Sequence, residues 1–329
     1  MPASEKSVLI TGGAGYIGSV LVGLLLARDY QVRVIDNLMY GQRSLDVYRG
    51  SPGLEQIKGD IRNSADIEKS LKGIRQVVHL AAIVGDPACD KNQQLAAEVN
   101  REASELLWEK SIEHKVERFI FASTCSNYGR MENSDAFVHE SSALKPISHY
   151  ARLKVAFEEF LLNDKKSKSS AVVLRFATAY GLSPRPRLDL TLNEFTTTLA
   201  LGKKLQVYGA QFWRPYCHTH DLARACILAM EADLRKVSGT AFNVGVTEEN
   251  YQKKTLVDLI LKRIPEAKAH VEFVKKEDDS RNYRVNFDFI KKTLGFKNLK
   301  TVANGISEFL AAIGSGQIIE MDNPVYRNC

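Results

Sequence analysis

The chain predicts an α/β fold, a doubly wound parallel sheet followed by a smaller C-terminal region. Three observations carry that expectation. Short apolar runs alternate with longer segments of helical spacing throughout the first half. A glycine-rich turn, Thr11-Gly12-Gly13-Ala14-Gly15-Tyr16-Ile17-Gly18, joins the first run to the first helical segment. The alternation then breaks at Ser183-Pro184-Arg185-Pro186-Arg187, and shorter mixed elements follow.

Taken in order, Val8-Leu9-Ile10 is the centre of a first strand over 7–11. After the turn, Ile17, Val20, Leu21, Leu24 and Leu25 fall on one face of a helix. A second strand over 31–35 ends in Asp36, with Asn37 beside it. Strand, glycine turn, helix, strand and acid is the order of a Rossmann dinucleotide site. Gly12, Gly15 and Gly18 allow the backbone to approach a pyrophosphate, whose charge suits the positive helix N-terminus. A carboxylate at Asp36 can accept hydrogen bonds from both adenosine ribose hydroxyls and would repel a 2′-phosphate. The expected cofactor is therefore NAD rather than NADP. Further strands are expected over 54–58, 76–80, 118–122 and 171–176, with helices over 95–111 and 150–162. Ligands on such sheets lie beyond the carboxyl ends of the strands.

Residues 1–181 are expected to form the NAD-binding Rossmann domain and to carry the catalytic groups. Residues 182–329 form mainly a substrate-binding region. Segments of about 216–246 return to the main domain, because Ala241-Phe242-Asn243-Val244-Gly245 reads as another sheet strand. The tail after Gly314 is expected to be extended.

At 329 residues the chain can hold one large α/β domain or two sharing a cleft. Hydrophobic content of 44% and charged content of 26% are those of an ordinary globular protein. The formal charge of +6 comes without a long basic run, which argues against a nucleic-acid partner and only mildly favours anionic small molecules. No apolar run approaches a membrane span, so no membrane partner is expected. Five cysteines (Cys89, Cys125, Cys217, Cys226, Cys329) are scattered and lack metal-ligand spacing. They suit a reducing cytoplasm, with no metal expected. The first residues lead straight into a strand and leave no room for a signal peptide.

Tyr150 and Lys154 stand one helical turn apart on one face. A free phenol has a pKa near 10 and is a poor base at neutral pH. A neighbouring ammonium and a positive nicotinamide ring would both favour the phenolate. It could then take a hydroxyl proton from a substrate as the same carbon is oxidised, while Lys154 holds the nicotinamide ribose. The run Phe119-Ile120-Phe121-Ala122-Ser123-Thr124 brings two hydroxyls, Ser123 and Thr124, to the sheet's carboxyl edge. Thr124 can bond the same substrate oxygen as Tyr150.

With these residues the chain resembles the extended short-chain dehydrogenase/reductase family, in its NAD-dependent nucleotide-sugar epimerase and dehydratase branch. The resemblance covers nearly the whole chain. It implies that the turn from Thr11 to Gly18 (Tyr16 and Ile17 included) holds the cofactor, and that Asp60, followed by Ile61, meets the adenine. By the same resemblance Leu80, Ala81 and Ala82 run beside the pyrophosphate, and Phe176 also borders the cofactor. Asn100 would help hold the active-site strand. Thr124, Tyr150 and Lys154 fall on the family's Ser/Thr-Tyr-Lys triad. Asn193 resembles the asparagine that contacts the substrate nucleotide. Arg214, in Trp213-Arg214-Pro215-Tyr216-Cys217-His218-Thr219-His220-Asp221, resembles an arginine that clamps a diphosphate, with Arg281 as its second. Asp221 is expected to cap the helix it opens. The implied partners are a nucleotide-diphosphate sugar and a second copy of the chain. In relatives the helices at 95–111 and 150–162 pair into a four-helix bundle.

Departures from the family bear on the reaction. The 4,6-dehydratases carry an Asp-Glu pair directly after the triad threonine, where this chain has Cys125 and Ser126. A thiol and a hydroxyl are poor replacements for two carboxylates in removing water. Cys125 fits two roles, an acid or base if its thiolate is stabilised, or a small packed residue. Ser126 stands where some 3,5-epimerases have a catalytic cysteine. Thr178 stands where the branch usually has a substrate-touching asparagine, and Arg185 and Arg187 nearby are candidates to compensate. The expected activity is NAD-dependent inversion of a nucleotide sugar at C4 through a transient 4-keto sugar. The rivals are an NAD(P)-dependent nucleotide-sugar reductase or dehydrogenase, an altered dehydratase using Cys125, and a non-catalytic NAD sensor.

Overall fold

The computed structural model describes residues 6–41, 43–131, 136–164, 167, 169–275, 282–319, 323 and 326–328. Arg281 lies outside them. The first strand β1 (Ser7–Thr11) is buried along its whole length, as a central strand covered on both faces must be. It leads into α1 (Tyr16–Leu26), β2 (Gln31–Asp36) and β3 (Leu54–Lys58). Next come α2 (Ser64–Leu71), β4 (Gln76–His79), α3 (Asp86–Lys91) and α4 (Gln93–Ala97). After α5 (Ala103–Glu113) the chain forms β5 (Arg118–Thr124), α6 (His149–Asn163) and β6 (Ser170–Phe176). All neighbours in the central sheet are parallel, in the order β10-β6-β5-β4-β1-β2-β3, with β10 at Thr240–Val244.

The faces follow the two-residue period of a strand. Val8 and Ile10 join Leu21, Val22 and Leu25 of α1 on one side. Leu9 joins Phe119, Phe121, Trp108 and Phe157 on the other. The remaining chain forms β7 (Thr178–Tyr180), α7 (Thr191–Ala200), β8 (Leu205–Tyr208) and β9 (Trp213–His218). Then follow α8 (Thr219–Glu231), α9 (Leu234–Val237), β11 (Asn250–Gln252), α10 (Lys253–Leu261), β12 (Val271–Val274), α11 (Asp288–Leu294) and α12 (Val302–Gly314). β11, β9 and β7 make a small sheet and β12 pairs with β8, over a core that includes Tyr180, Phe195, Tyr216 and Leu256. From this second part α8 packs back onto the first core and β10 pairs with β6.

Several details differ from the sequence expectation. The helix expected over 95–111 is interrupted by a π turn at Glu98–Glu102, between α4 and α5. β5 runs two residues further than expected, because Ser123 and Thr124 still pair with Arg175 and Phe176. Asp221 does not cap α8; His218 does, its Nδ1 accepting from the His220 N–H at 3.1 Å. The fully buried Asp221 carboxylate accepts from the Leu299 and Lys300 N–H groups, both at 3.0 Å, and pairs with Arg224. The tail after Gly314 begins with turns and later packs onto the 185–188 loop, where the Leu188 N–H donates to Tyr326 O at 2.9 Å.

A buried ion pair joins α6 to the sheet. Arg175 donates through Nε and Nη2 to Glu158 Oε1, the Nε bond at 2.9 Å, and the side chains are 6% and 1% exposed. Glu158 Oε2 accepts from Ser123 Oγ at 2.8 Å, while Arg175 Nη1 donates to Tyr128 Oη at 2.8 Å. Removing one partner strands the other charge in the interior. Glu158→Ala is expected to lower the unfolding free energy by about 3–5 kcal/mol in urea titration.

Candidate active site

A cavity of about 490 Å³ opens at the carboxyl edge of the large sheet. Successive strand ends supply its floor: Gly12, Gly15, Asp36, Asn37, Asp60, Ile61, Leu80, Ala81 and Ala82 on one side, then Ser123, Thr124, Ser126 and Phe176. Tyr16, Ile17 and Gly18 from α1, and Tyr150 and Lys154 from α6, complete the base. Thr178, Arg185, Arg187, Arg214, Lys253, Tyr283 and Asn328 border it from the second part of the chain.

The glycine turn is built for close approach. Gly12 has φ +71°, and a Cβ there would lie 2.7 Å from the Ala81 nitrogen. At Gly18 a Cβ would meet the Gly12 carbonyl at 2.4 Å. Residue Gly15 caps α1 without a side-chain acceptor, so the first-turn N–H groups remain available to an anion. Asp36 stands at the end of β2, its carboxylate accepting from the Ala14 and Leu38 N–H groups at 3.0 and 2.8 Å. Burial pushes its carboxyl up, against those two donors and the Arg185 charge. Asp60 is paired with Arg62 at 2.7 Å, and that bond holds its carboxyl below the usual range. A cradle shaped by glycine, a free helix N-terminus and an acid after the second strand fit NAD.

At the other end, Thr124 Oγ1 and Ser126 Oγ share a hydrogen bond of 2.6 Å. Lys154 is 3% exposed, donates to the Ala122 carbonyl at 3.0 Å and sits 5.9 Å from the centre of the Tyr150 ring. Burial depresses its pKa to about 8. Tyr150 runs against expectation. Burial pushes its phenol well above the ordinary value, with Cys89 and Asp86 adding to the effect and Arg187 opposing it. In the protein alone burial therefore dominates at the phenol, and Lys154 spends one of its three ammonium donors on the Ala122 carbonyl.

Other expected residues are placed differently. Cys125 is 1% exposed, absent from the cavity lining, and donates its S–H to the Arg175 carbonyl at 3.1 Å. Burial drives its thiol far upward, and its placement fits the small packed residue of the two roles expected. Ser123 reaches the cavity wall, but its hydroxyl is turned inward to Glu158. Asn193 is fully buried; its Oδ1 accepts from the Gly181 N–H at 3.0 Å and its Nδ2 donates to the Arg187 carbonyl at 2.7 Å. Its Nδ2 also bonds the Tyr16 hydroxyl, so it holds the loop after β7 rather than a ligand. Asn100 likewise does not line the cavity. From the π turn it clasps Ile83, accepting from its N–H at 2.8 Å and donating to its carbonyl at 2.9 Å, and so holds the loop after β4 rather than β5. Arg187 lines the cavity already paired with Asp189, and Arg214 lies 5.3 Å from the Tyr283 ring centre. Sequence reading missed Tyr40, Asp86, Tyr283 and Asn328 on the cavity wall. They come from loops and elements without motif spacing; only Gly85-Asp86-Pro87 carried even a helix-start signal. No cluster of metal-ligating side chains is found among the described residues. No described helix is long and apolar enough to cross a membrane.

Fold and cleft together define an NAD-binding protein of the short-chain dehydrogenase/reductase kind. Residues 8–245 match the model of the NAD dependent epimerase/dehydratase family, and the chain belongs to that family. A bifunctional UDP-glucose and UDP-xylose 4-epimerase of Pisum sativum is 30% identical over 277 residues, 76% of this chain and 77% of its own length. Among solved structures, the UDP-glucose 4-epimerase of Thermotoga maritima with UDP-glucose superimposes with a TM-score of 0.83. It has 27% identity, covering 95% of this chain and all of that one (100%). A dTDP-glucose 4,6-dehydratase of Streptomyces venezuelae with NAD bound gives a TM-score of 0.84 and 25% identity, covering 94% of this chain and 98% of that one.

The low pKa of Lys154 has a consequence for stability. Between pH 8 and 10.5 the unfolded chain binds more protons at this residue than the folded one, so this contribution makes stability rise with pH across that window. In cofactor-free protein, Lys154→Met is expected to remove a rise of about 2 kcal/mol, read as the difference between variant and wild type in urea titrations at pH 7.5 and 10.

Proposed function

We propose that the protein is an NAD-dependent nucleotide-sugar epimerase that inverts C4 through a transient 4-keto sugar. The observation that carries this reading is the chemistry of the strand end: Thr124 and Ser126 present hydroxyls to the cavity beside Tyr150 and Lys154, and Cys125 faces away. Bound NAD supplies a reversible two-electron acceptor at the sugar carbon, and its positive nicotinamide ring opposes the burial that keeps the Tyr150 phenol protonated. Tyr150 takes the proton from the C4 hydroxyl as that carbon is oxidised to the ketone, and returns it to the inverted alcohol. Thr124 bonds the same oxygen and holds it in line. Ser126 fixes the Thr124 hydroxyl, and Lys154 supplies positive charge beneath the ring and a donor for the nicotinamide ribose. Arg214 and Arg187 suit the substrate diphosphate, with Thr178 against the sugar.

Within this reading residues 1–181 form the cofactor half and 182–329 mainly the substrate half, with about 216–246 returning to the former. The family resemblance implies a homodimer through the helices around α5 and α6. The free thiols of Cys89, Cys125, Cys217 and Cys226 suit a reducing, cytoplasmic setting.

One observation favours a second reading. Asp86, at the start of α3, lines the cavity close enough to raise the Tyr150 phenol, and a dehydratase would need such a carboxylate. Incubation with UDP-, GDP- and dTDP-hexoses decides between them. The epimerase reading expects interconversion of C4 epimers without net NADH. A product lighter by one water, or stoichiometric NADH, overturns it. Tyr150→Phe is expected to lower kcat by about 10²–10⁴-fold with NAD still bound. Cys125→Ala is expected to stay within about twofold of wild type in the same assay, as suits a packed thiol.

A further inference from the structure

We propose that Arg185 is a ligand of the cofactor, donating from its guanidinium to the pyrophosphate of NAD. The residue is only 4% exposed, yet it lines the cavity, and its Nε is buried with no hydrogen-bond partner. No carboxylate forms an ion pair with it among the described residues. Arg187, two positions on, is paired with Asp189, so the uncompensated charge on this loop belongs to Arg185. Burying a cation in this way is costly unless an anion meets it. The charge is retained at neutral pH, since burial and Arg187 lower its pKa only to about 10.

Its surroundings point to the cofactor's anion rather than the substrate's. The loop is tied to the start of α1, where Ser183 Oγ donates to the Tyr16 carbonyl at 2.7 Å and bonds Ser19 Oγ at 3.0 Å. The Arg185 N–H donates to Ser183 Oγ at 3.2 Å. The guanidinium lies 4.6 Å from the centre of the Tyr40 ring, donates through Nη2 to the Arg327 carbonyl at 2.8 Å, and its charge is felt by Asp36. It therefore stands between the glycine turn and the acid after β2, at the junction of pyrophosphate and adenosine ribose. Tyr40 and the Arg327 carbonyl hold one side of the fork in place, and the guanidinium keeps donors that no acceptor among the described residues satisfies.

The inference rests on NAD binding and not on the C4 reaction, so it is tested without a sugar substrate. Cofactor-free wild type, Arg185→Met and Arg185→Lys are compared by calorimetric titration with NAD, ADP-ribose and adenosine, with circular dichroism and thermal unfolding to verify folding. Arg185→Met is expected to raise the Kd for NAD and ADP-ribose by about ten- to a hundredfold, leaving adenosine within about twofold. Arg185→Lys, a point charge without the fork, is expected to fall between. Should Arg185→Met fail to fold, the ratio of ADP-ribose to adenosine loss in Arg185→Lys carries the test. UDP, GDP and dTDP are then titrated into NAD-loaded protein to report on the substrate diphosphate. Unchanged NAD affinity, an equal loss for adenosine, or a loss confined to these diphosphates overturns the assignment.

Discussion

The buried Glu158–Arg175 pair is the constraint on which the active end of the cleft depends. α6 carries Tyr150 and Lys154 in its first turns and Glu158 one turn further on. Glu158 binds Arg175 of β6 and Ser123 of β5, so the helix is locked to the two strands whose ends face the cavity. Arg175 extends the tie through Tyr128, whose hydroxyl donates to Asn243 of β10 at 2.8 Å. Lys154 adds its own bond to the Ala122 carbonyl. A helix held at both ends of this run cannot rotate its tyrosine away from Thr124 without breaking buried charged hydrogen bonds, which are far costlier to leave unmade than surface ones.

Burial then sorts the polar groups around the cleft into two kinds. Some are consumed by the protein: Asn193 and Asn100 spend their amides on backbone, His79 spends both ring nitrogens on Thr11 and Ser104, and Cys125 spends its thiol on a carbonyl. His79 is accordingly kept neutral, its pKa driven by burial to about 3. Others reach the cavity with bonding capacity left, notably the first turn of α1 and Arg185. The same residue types occur in both sets. Chemical identity therefore does not separate a ligand-binding side chain from a structural one; the number of bonds already made does.

Much of the fold is legible in the amino-acid sequence. Apolar runs and helical periods located every strand of the large sheet within two residues, and Asp36 was recognisable as an acid that ends the second strand, where it lines the cavity. That Thr124, Tyr150 and Lys154 share one cavity was legible too, since one helical turn and one strand end are local geometry. The π turn at Glu98–Glu102 was not legible, because it keeps the apolar face of a helix while shifting its register. Nor was the loss of Asn193 to the interior, which depends on Gly181 and Arg187 folding back over α7.

By itself the amino-acid order determined the sheet, the dinucleotide turn and the Thr124–Tyr150–Lys154 set, all of which are written in spacings of a few residues. Only the tertiary structure decided which way Cys125 faces, that burial raises the Tyr150 phenol, and that Arg185 stands beside Asp36. Solvent exclusion and the pairing of charges are sums over neighbours far apart in the chain. No local pattern encodes them.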